Sequence, residues 1–577
     1  EAVFRTHDGV ELFYRRWPAV AGVAKGAVLL FHRGHEHSGR MAHLADELDL
    51  PDHDVFAWDA RGHGRSPGER GHAPSFGTSV RDVQTFVDHI ARAHDHAASD
   101  VAVVAQSVGA VIAAAWVHDY APRIRALVLA SPAFRVKLYV PFARPGLKAL
   151  AALRGPFFVQ SYVKARFLTH DPERVASFEA DPLITRAIAV NILLDLYDTA
   201  ERVVADARAI TVPTQLLVSG ADVVVHHGPQ HRFYERLGSM TKERHVLPGF
   251  YHDTFGERDR AVAVGHARRF ILDRFAEAPE RIPLRHADRA GDTRDEADRL
   301  ATPLARLSPR GLYWALTRLG LRVGGLVSEG LLTGRRTGFD SGLMLDYVYR
   351  NAPTGRGAPG RLVDRLYLDS PGWRGIRQRK LHAEELIRSA MTRLIAAQSP
   401  VHLVDIAAGP GRYALEAIET GEIGRPDSIR LRDYSDANVA AGRALIREKN
   451  LAGIASFERG DAFDEAELSA LAPAPTLAVV SGLYELYAEN ESVLGSLRGL
   501  ARAVAPGGYL VYTNQPWHPQ LELIARALTS HRGGQAWVMR RRTQAEMDEL
   551  VESVGFRKLE QRIDDAGIFT VSLAKRV

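Results

Sequence analysis

Val101 to Trp116, VAVVAQSVGAVIAAAW, is the stretch that decides the fold of the first half of the chain. VAVVAQ is apolar enough to be a strand buried on both faces, and VGAVIAAAW reads as a helix of small residues, so Ser107 falls on the tight turn between them. This is the pattern of a nucleophile elbow, where strained backbone and a close helix–strand approach require small residues on both sides of the serine. Ala105 and Gly109 fill those places, alanine standing where a first glycine is usual. A second glycine turn, Asp405 to Gly411, organises the other half in the same way. The expectation is two enzymes in one chain.

With 577 residues the chain exceeds what one hydrophobic core supports, so two or three domains are expected. The formal charge of +5 is small and arginine is scattered, so nucleic acid is not an expected partner. The chain has no cysteine, which excludes disulfides, thiolate zinc sites and thiol nucleophiles and fits a reducing compartment. EAVFRTHDGVELFYRRW carries no charged leader followed by an apolar run, and no segment offers about 20 consecutive apolar residues. A soluble, cytoplasmic protein is expected.

Upstream of the elbow, VFRTHDGVELFYRRW alternates around Asp8 and Gly9 as a hairpin does, and GAVLLFH is a buried strand leading into HRGHEHSGR. VFAWDARGHGRS repeats the pattern of apolar strand and glycine-rich loop. HRGHEHSGR, DARGHGRSPGERG and AQSVGA, in that order, resemble the alpha/beta-hydrolase family, within it the monoacylglycerol lipase and serine aminopeptidase-like branch, over residues 1–276. The resemblance implies an oxyanion hole from the backbone N–H groups of Gly34 and Val108, with Arg33 where the family has glycine. Serine needs a histidine base and an orienting carboxylate, which follow in the chain order Ser, Asp, His in this fold. Asp222 after TVPTQLLVSG and His252 in HVLPGFYHD fill these roles, the resemblance aligning His252, while His226 and Asp253 stand close by. His32, His35 and His37 have no carboxylate and histidine set at a familiar spacing, so no metal is expected. Residues of about 137–208 exceed what the sheet needs and are expected to form a helical cap. Its Leu147, Leu150, Phe157, Phe158 and Val159 line an acyl-chain slot or pack on the cap's own core.

Residues 277–374 read as a linker followed by a helical connecting or lid segment. Within it, Leu312, Leu316, Leu319, Val323, Leu326 and Val327 form one helical stripe flanked by arginines. Such a stripe over 310–332 either packs on a neighbouring domain or lies on a membrane surface, which would make the protein peripheral at the inner membrane.

In residues 375–577, VHLVDIAAGPGRYALEA gives a strand, glycine turn and helix, compatible at this point with a dinucleotide as well. SIRLRDYS ends at Asp433, RGDAFDE supplies Asp461 and Ala462, PTLAVVSGLYEL and GGYLVYTNQPW are further strands, and two strand-like runs close the chain. This succession resembles the class I S-adenosylmethionine-dependent methyltransferases, of Rossmann-like α/β fold. The resemblance implies that Ala407 stands for the first family glycine, that Gly409 and Gly411 pass the amino-acid part of S-adenosylmethionine, and that Asp405 orients the loop. Asp433 would take the ribose, and Asp461 with Ala462 the adenine. Tyr484, Glu485, Asn514, Trp517 and His518 stand at strand ends that face a substrate cleft.

The chain also resembles, along its whole length, bacterial hydrolase–methyltransferase fusions. The expected function is bifunctional: a serine ester hydrolase of lysophospholipase or monoacylglycerol lipase type joined to a lipid or small-molecule methyltransferase. The alternatives are a single active hydrolase with a degenerate or regulatory second domain, and a non-enzymatic lipid-binding protein.

Overall fold

Apolar runs unbroken by polar residues become strands buried on both faces, and in each half they form one mostly parallel sheet between layers of helices. The computed structural model describes residues 1–20, 22–140, 142–278, 281–419 and 424–577. Two compact units, Glu1–Ile282 and Pro283–Val577, make up the chain.

The first unit contains β1 (Ala2–Arg5), β2 (Glu11–Trp17), β3 (Gly26–Phe31), β4 (His53–Trp58), β5 (Val101–Gln106), β6 (Ala126–Ala130), β7 (Phe158–Gln160), β8 (Ala187–Ala189), β9 (Thr214–Ser219) and β10 (Lys242–Leu247). Eight of them form a sheet in the order β1-β2-β4-β3-β5-β6-β9-β10, in which β2 alone runs antiparallel to its neighbours. Every residue of β3, β4, β5, β6 and β9 is buried, whereas edge strand β10, KERHVL, meets solvent with its charges. One face packs on helix Ala261–Ala276 through Ala263, Val264, Ala267, Phe270 and Ile271. Helix Val108–Tyr120 leaves β5 directly and is buried from Gly109 onward, which is why it is made of alanine and valine. Between β6 and β9 lie the cap helices Ala143–Arg154, Pro172–Ala180 and Val190–Ala205 and the small β7–β8 sheet.

The second unit adds β11 (His402–Asp405), β12 (Ser428–Asp433), β13 (Ala455–Arg459), β14 (Leu477–Val480), β15 (Tyr509–Asn514), β16 (Phe556–Ile563) and β17 (Thr570–Arg576). The order is β13-β12-β11-β14-β15-β17-β16, with β17 antiparallel between β15 and β16. The strand order reverses between β11 and β14, the crevice where open α/β sheets bind ligands. Helix Pro371–Ala396 covers one face with Ala383, Leu386, Ile387, Ala390 and Leu394. Residues 283–374, expected as linker and connecting segment, belong to this unit and carry five helices. Even charged DTRDEADRLA folds as helix Asp292–Ala301 and buries Ala297 and Leu300. The fold is thus an alpha/beta-hydrolase sheet with a cap, then a Rossmann-like methyltransferase sheet with an added helical layer. Among the described residues no helix is long and apolar enough to cross a membrane.

The elbow limits what its flanks tolerate. A Cβ on Gly109 would lie 2.3 Å from the His32 carbonyl oxygen, so the helix could not approach the sheet as it does. Gly109→Ala should destabilise the first unit by about 1–3 kcal/mol, and Ala105→Gly by about 1 kcal/mol or less, as read from urea unfolding midpoints. Equal effects of the two substitutions would refute this account of the turn.

Candidate functional site

Ser107 sits where β5 breaks into the helix, at φ +56° and ψ −116°, a left-handed conformation costly for a residue with a side chain. That turn lifts Oγ off the sheet end. His252 follows β10 and Asp222 follows β9, so parallel strand ends bring all three together. Ser107 Oγ lies 2.7 Å from His252 Nε2, and His252 Nδ1 lies 2.7 Å from Asp222 Oδ2. Asp222 Oδ1 accepts from the amides of Val224 at 2.7 Å and Val225 at 3.0 Å. Burial alone would raise this carboxyl, but His252 and the two amides outweigh it and hold it below the ordinary carboxylate range. It is therefore a fixed anion, able to hold the histidine and stabilise its cation.

The two competitors have other roles. His226 is exposed at the start of helix His227–Arg236. Asp253 is buried and belongs to an ion cluster that sequence reading missed. Its Oδ1 accepts from Gln106 Nε2 at 3.0 Å, and its Oδ2 pairs with Arg174 at 3.1 Å and Arg33 at 3.5 Å. Arg33 is bidentate on Glu36 at 2.8 and 2.7 Å, and Arg40 adds a contact to Glu36 at 3.3 Å. The arginine that replaces the family's glycine thus binds the oxyanion loop to the His252 loop and, through Arg174, to cap helix Pro172–Ala180. Against the usual effect of burial, Arg33 and Arg174 hold the Asp253 carboxyl far below its usual range.

The same loop places Gly34 against the elbow: a Cβ added there would stand 3.1 Å from Val108 Cγ2. His32 supports it from beneath. Its Nε2 accepts from the Ala60 amide at 3.1 Å, so Nδ1 carries the proton to the Arg33 carbonyl at 2.7 Å. His37 bonds Asp181 of the cap at 3.0 Å, and burial lowers His35 to about 4. In the cap, helix Ala143–Arg154 has no fully buried residue, Leu147 being half-buried and Leu150 exposed; Phe157, Phe158 and Val159 are half-buried.

In the second unit, Gly409 and Gly411 take φ +56° and +81° in the turn after β11. Asp405 accepts from the Ala407 amide at 3.2 Å and from Tyr413 Oη at 2.5 Å, and burial pushes its carboxyl up to about 7. Asp433 accepts from the Gly409 amide at 2.9 Å, the Ser435 amide at 2.9 Å and Asn438 Nδ2 at 2.9 Å. It therefore already braces the glycine turn, and three of its four lone-pair positions are engaged. Gly342, from the helical layer, lies against this turn: a Cβ there would meet Gly409 Cα at 2.9 Å and Asn438 Nδ2 at 2.7 Å. Asp461 is exposed beyond β13 and accepts from the Phe463 amide at 2.9 Å, while Ala462 buries its methyl in the core.

Beside the end of β14 lies a mainly apolar chamber with about 870 Å³ of space, part of it open to solvent, lined among others by Leu321, Leu345, Trp373, Ile376, Trp537 and Phe569. Of the five residues expected to face a substrate cleft, Glu485 and His518 line it. Tyr484 does not face a cleft: its ring is in the core and its Oη lies 2.9 Å from Ser496 Oγ, because the strand-end turn points alternate side chains inward. Asn514 spends its amide on the Arg542 carbonyl at 3.1 Å, and Trp517 stacks under Arg541 at 5.4 Å. Glu485 Oε1 accepts from Arg379 Nη1 at 3.2 Å and Thr513 Oγ1 at 2.8 Å, while its buried Oε2 has no partner. His518 Nδ1 accepts from the Gln520 amide at 3.0 Å, which leaves the proton on Nε2. Burial lowers this imidazole to about 3, so it is neutral at pH 7. Arg379 and Gly342 were missed in the sequence because each comes from an element distant along the chain, and Asn438, only five residues after Asp433, because no local signal turns its amide back onto that carboxylate.

A serine, a histidine and a carboxylate hydrogen-bonded in line at the strand ends of this sheet are the arrangement of an alpha/beta-hydrolase, and the second sheet with its glycine turn has a methyltransferase fold. The chain belongs to the family described as "Putative methyltransferase", which matches residues 267–576. The family described as "Serine aminopeptidase, S33" matches residues 22–259. "Uncharacterized protein YnbC" of Escherichia coli (strain K12) is 57% identical over 576 residues, covering 100% of this chain and 98% of its own. "Monoacylglycerol lipase" of Mycolicibacterium smegmatis is 29% identical over 276 residues, 47% of this chain and 96% of its own. "Monoglyceride lipase" of Homo sapiens is 32% identical over 250 residues, 42% of this chain and 80% of its own. The first unit is accordingly a hydrolase domain related to monoacylglycerol lipases.

The buried cluster sets an acid limit. Because the Asp253 carboxyl is depressed, its contribution to stability is present above the unfolded value of about 3.9 and is lost as pH falls toward the folded one. Arg33→Met removes part of that hold and leaves buried charge uncompensated, costing about 3–5 kcal/mol. Acid unfolding followed by circular dichroism should therefore move to higher pH in this variant; an unchanged midpoint would refute the cluster's role.

Proposed function

We propose that the first unit is a serine ester hydrolase of the monoacylglycerol lipase or lysophospholipase kind and that the second is an S-adenosylmethionine-dependent methyltransferase. The observation that carries the first part is the unbroken Ser107–His252–Asp222 hydrogen-bond line. Ser107 Oγ attacks the ester carbonyl while its proton passes to His252 Nε2. The tetrahedral oxyanion is held by the Gly34 and Val108 N–H groups, and the His252 proton leaves with the alcohol. Water then repeats the sequence on the acyl-enzyme and releases the acid. The exposed apolar residues of cap helix Ala143–Arg154 favour acyl chains over peptides, in keeping with the lipases that the first unit is similar to. The cysteine-free sequence fits work in the cytoplasm.

For the second part, the residues present fit S-adenosylmethionine. Gly409 and Gly411 keep the turn after β11 free of side chains, Asp433 retains one lone-pair position for a ribose hydroxyl, and exposed Asp461 can accept from the adenine amine. When bound, S-adenosylmethionine supplies a methyl already activated on a sulfonium. The chain then needs to orient an acceptor and take one proton. Glu485 Oε2, buried and unpartnered in the chamber wall, is suited to take it, and His518 Nε2–H to orient an acceptor oxygen.

Ser107→Ala should lower aryl-ester turnover by at least about a thousandfold with the fold intact. Activity should rise from short to medium acyl chains; a preference for aminoacyl amides would point to an aminopeptidase instead. Calorimetry on the full chain should show binding of S-adenosylmethionine or S-adenosylhomocysteine and none of NAD. Asp433→Ala should weaken it about ten- to a hundredfold. Binding of NAD alone would overturn the methyltransferase reading, and binding of neither would make the second unit a relic fold.

A further inference from the structure

We infer that the second unit works on an anionic lipid surface, with helix Pro309–Gly324 lying on that surface and walling the chamber that receives an apolar-bodied methyl acceptor from it. The acceptor assignment rests on the methyltransferase reading; the surface does not. Leu312, Leu316, Leu319 and Val323 recur at steps of four, three and four residues, the spacing of one helix face, and stand 50–69% exposed. Leu307 and Leu326 extend the stripe at its two ends, 88% and 68% exposed. A second helix, Gly357–Leu368, exposes Leu362 and Leu366 beside it, the two helices meeting where a Cβ on Gly324 would lie 3.8 Å from Val363. An exposed apolar stripe along one helix face is costly in water and marks a contact.

Charge selects the partner. Helix Pro309–Gly324 carries Arg310, Arg318 and Arg322 and no acidic residue. Arg306, Arg322, Arg336, Arg356 and Arg361 have no acidic partner among the described residues. Two copies of this face placed together would set arginine against arginine, whereas an anionic lipid surface accepts both the apolar stripe and the cations flanking it.

The inward side of the same helix supplies the link to the chamber. Leu321 lines the cavity together with Leu523, Ile524, Leu528 and Tyr367, so one helix separates the apolar chamber from the apolar outer stripe. At the chamber's polar end stands Glu485, whose Oε2 has no partner. A ligand that fits both ends has an apolar body and one hydroxyl or amine. Bound S-adenosylmethionine would supply the activated methyl, its carbon–sulfur electron pair leaving with sulfur as the acceptor heteroatom took the carbon, and Glu485 Oε2 would take the proton that the heteroatom loses.

The test is flotation of the full chain with phosphatidylcholine vesicles, with and without phosphatidylglycerol, alongside calorimetry with S-adenosylmethionine. Two variants of exposed residues keep the fold, checked by circular dichroism: Leu316→Glu with Leu319→Glu, and Phe142→Glu with Leu153→Glu in the cap as comparator. The expected result is binding to phosphatidylglycerol vesicles that weakens with salt and falls about tenfold or more in the first variant, with S-adenosylmethionine affinity unchanged. No vesicle binding by the parent chain, loss of binding only in the cap variant, or conversion of a dimer to a monomer by the first variant would each overturn the proposal. Vesicle binding without any affinity for S-adenosylmethionine would instead refute the methyltransferase reading on which the acceptor assignment rests.

Discussion

Where a parallel strand gives way to the helix that follows it, the backbone here passes through left-handed space, at the single residue between β5 and its helix and within the six-residue turn after β11, and both halves of this chain depend on that geometry. In the first it falls on Ser107, at φ +56°, which places its hydroxyl at the sheet end against His252 and the following N–H at the start of a helix. In the second it falls on Gly409 and Gly411, at +56° and +81°, where a Cβ would meet Gly342 at 3.4 Å and Leu431 at 2.5 Å, so only glycine lets the turn pack as it does. The same backbone region thus presents a serine hydroxyl in one unit and makes a turn without side chains in the other.

The placement of buried charge separates structural from chemical acids. Asp253 and Glu36 are saturated by Arg33, Arg40 and Arg174, and this cluster holds the loops on either side of the serine in one arrangement with the cap. Asp222 is equally buried but directs one oxygen at two amides and the other at His252, so it both stays ionised and orients a base. Glu485 is the contrasting case, with one oxygen held and the other buried without a donor. Leaving a buried carboxylate oxygen unpaired costs stability, which a bound acceptor's proton would recover.

Much of this was legible in the sequence, because strand ends and glycine turns are local signals. The elbow, the acid beyond its apolar strand and the first five strands of the second sheet follow from apolar runs punctuated by glycine and aspartate, while the order of serine, acid and histidine and the choice of His252 come from the family resemblance. Other features escaped for physical reasons. Arg33 looked like a weakened glycine position, since its partners Glu36 and Asp253 become neighbours only when β3 and β10 share a sheet. Tyr484 and Glu485 are adjacent in sequence yet point to opposite sides, one into the core and one into the chamber, and no periodicity fixes the phase of a one-turn segment. Within 283–374 the apolar stripe of helix Pro309–Gly324 was legible, whereas the other four helices are only 9 to 12 residues long, too short for a sustained apolar period, and are held by packing on the second sheet's own layer.

The central claim is that Ser107 is an activated nucleophile and not a structural serine at a tight turn. Labelling of the folded full chain with a fluorophosphonate probe, followed by peptide mass spectrometry, tests it most directly. The account predicts one modified peptide, carrying the phosphonate on Ser107, and loss of that label in His252→Ala. An unmodified Ser107 in folded protein, or equal labelling without His252, would contradict it.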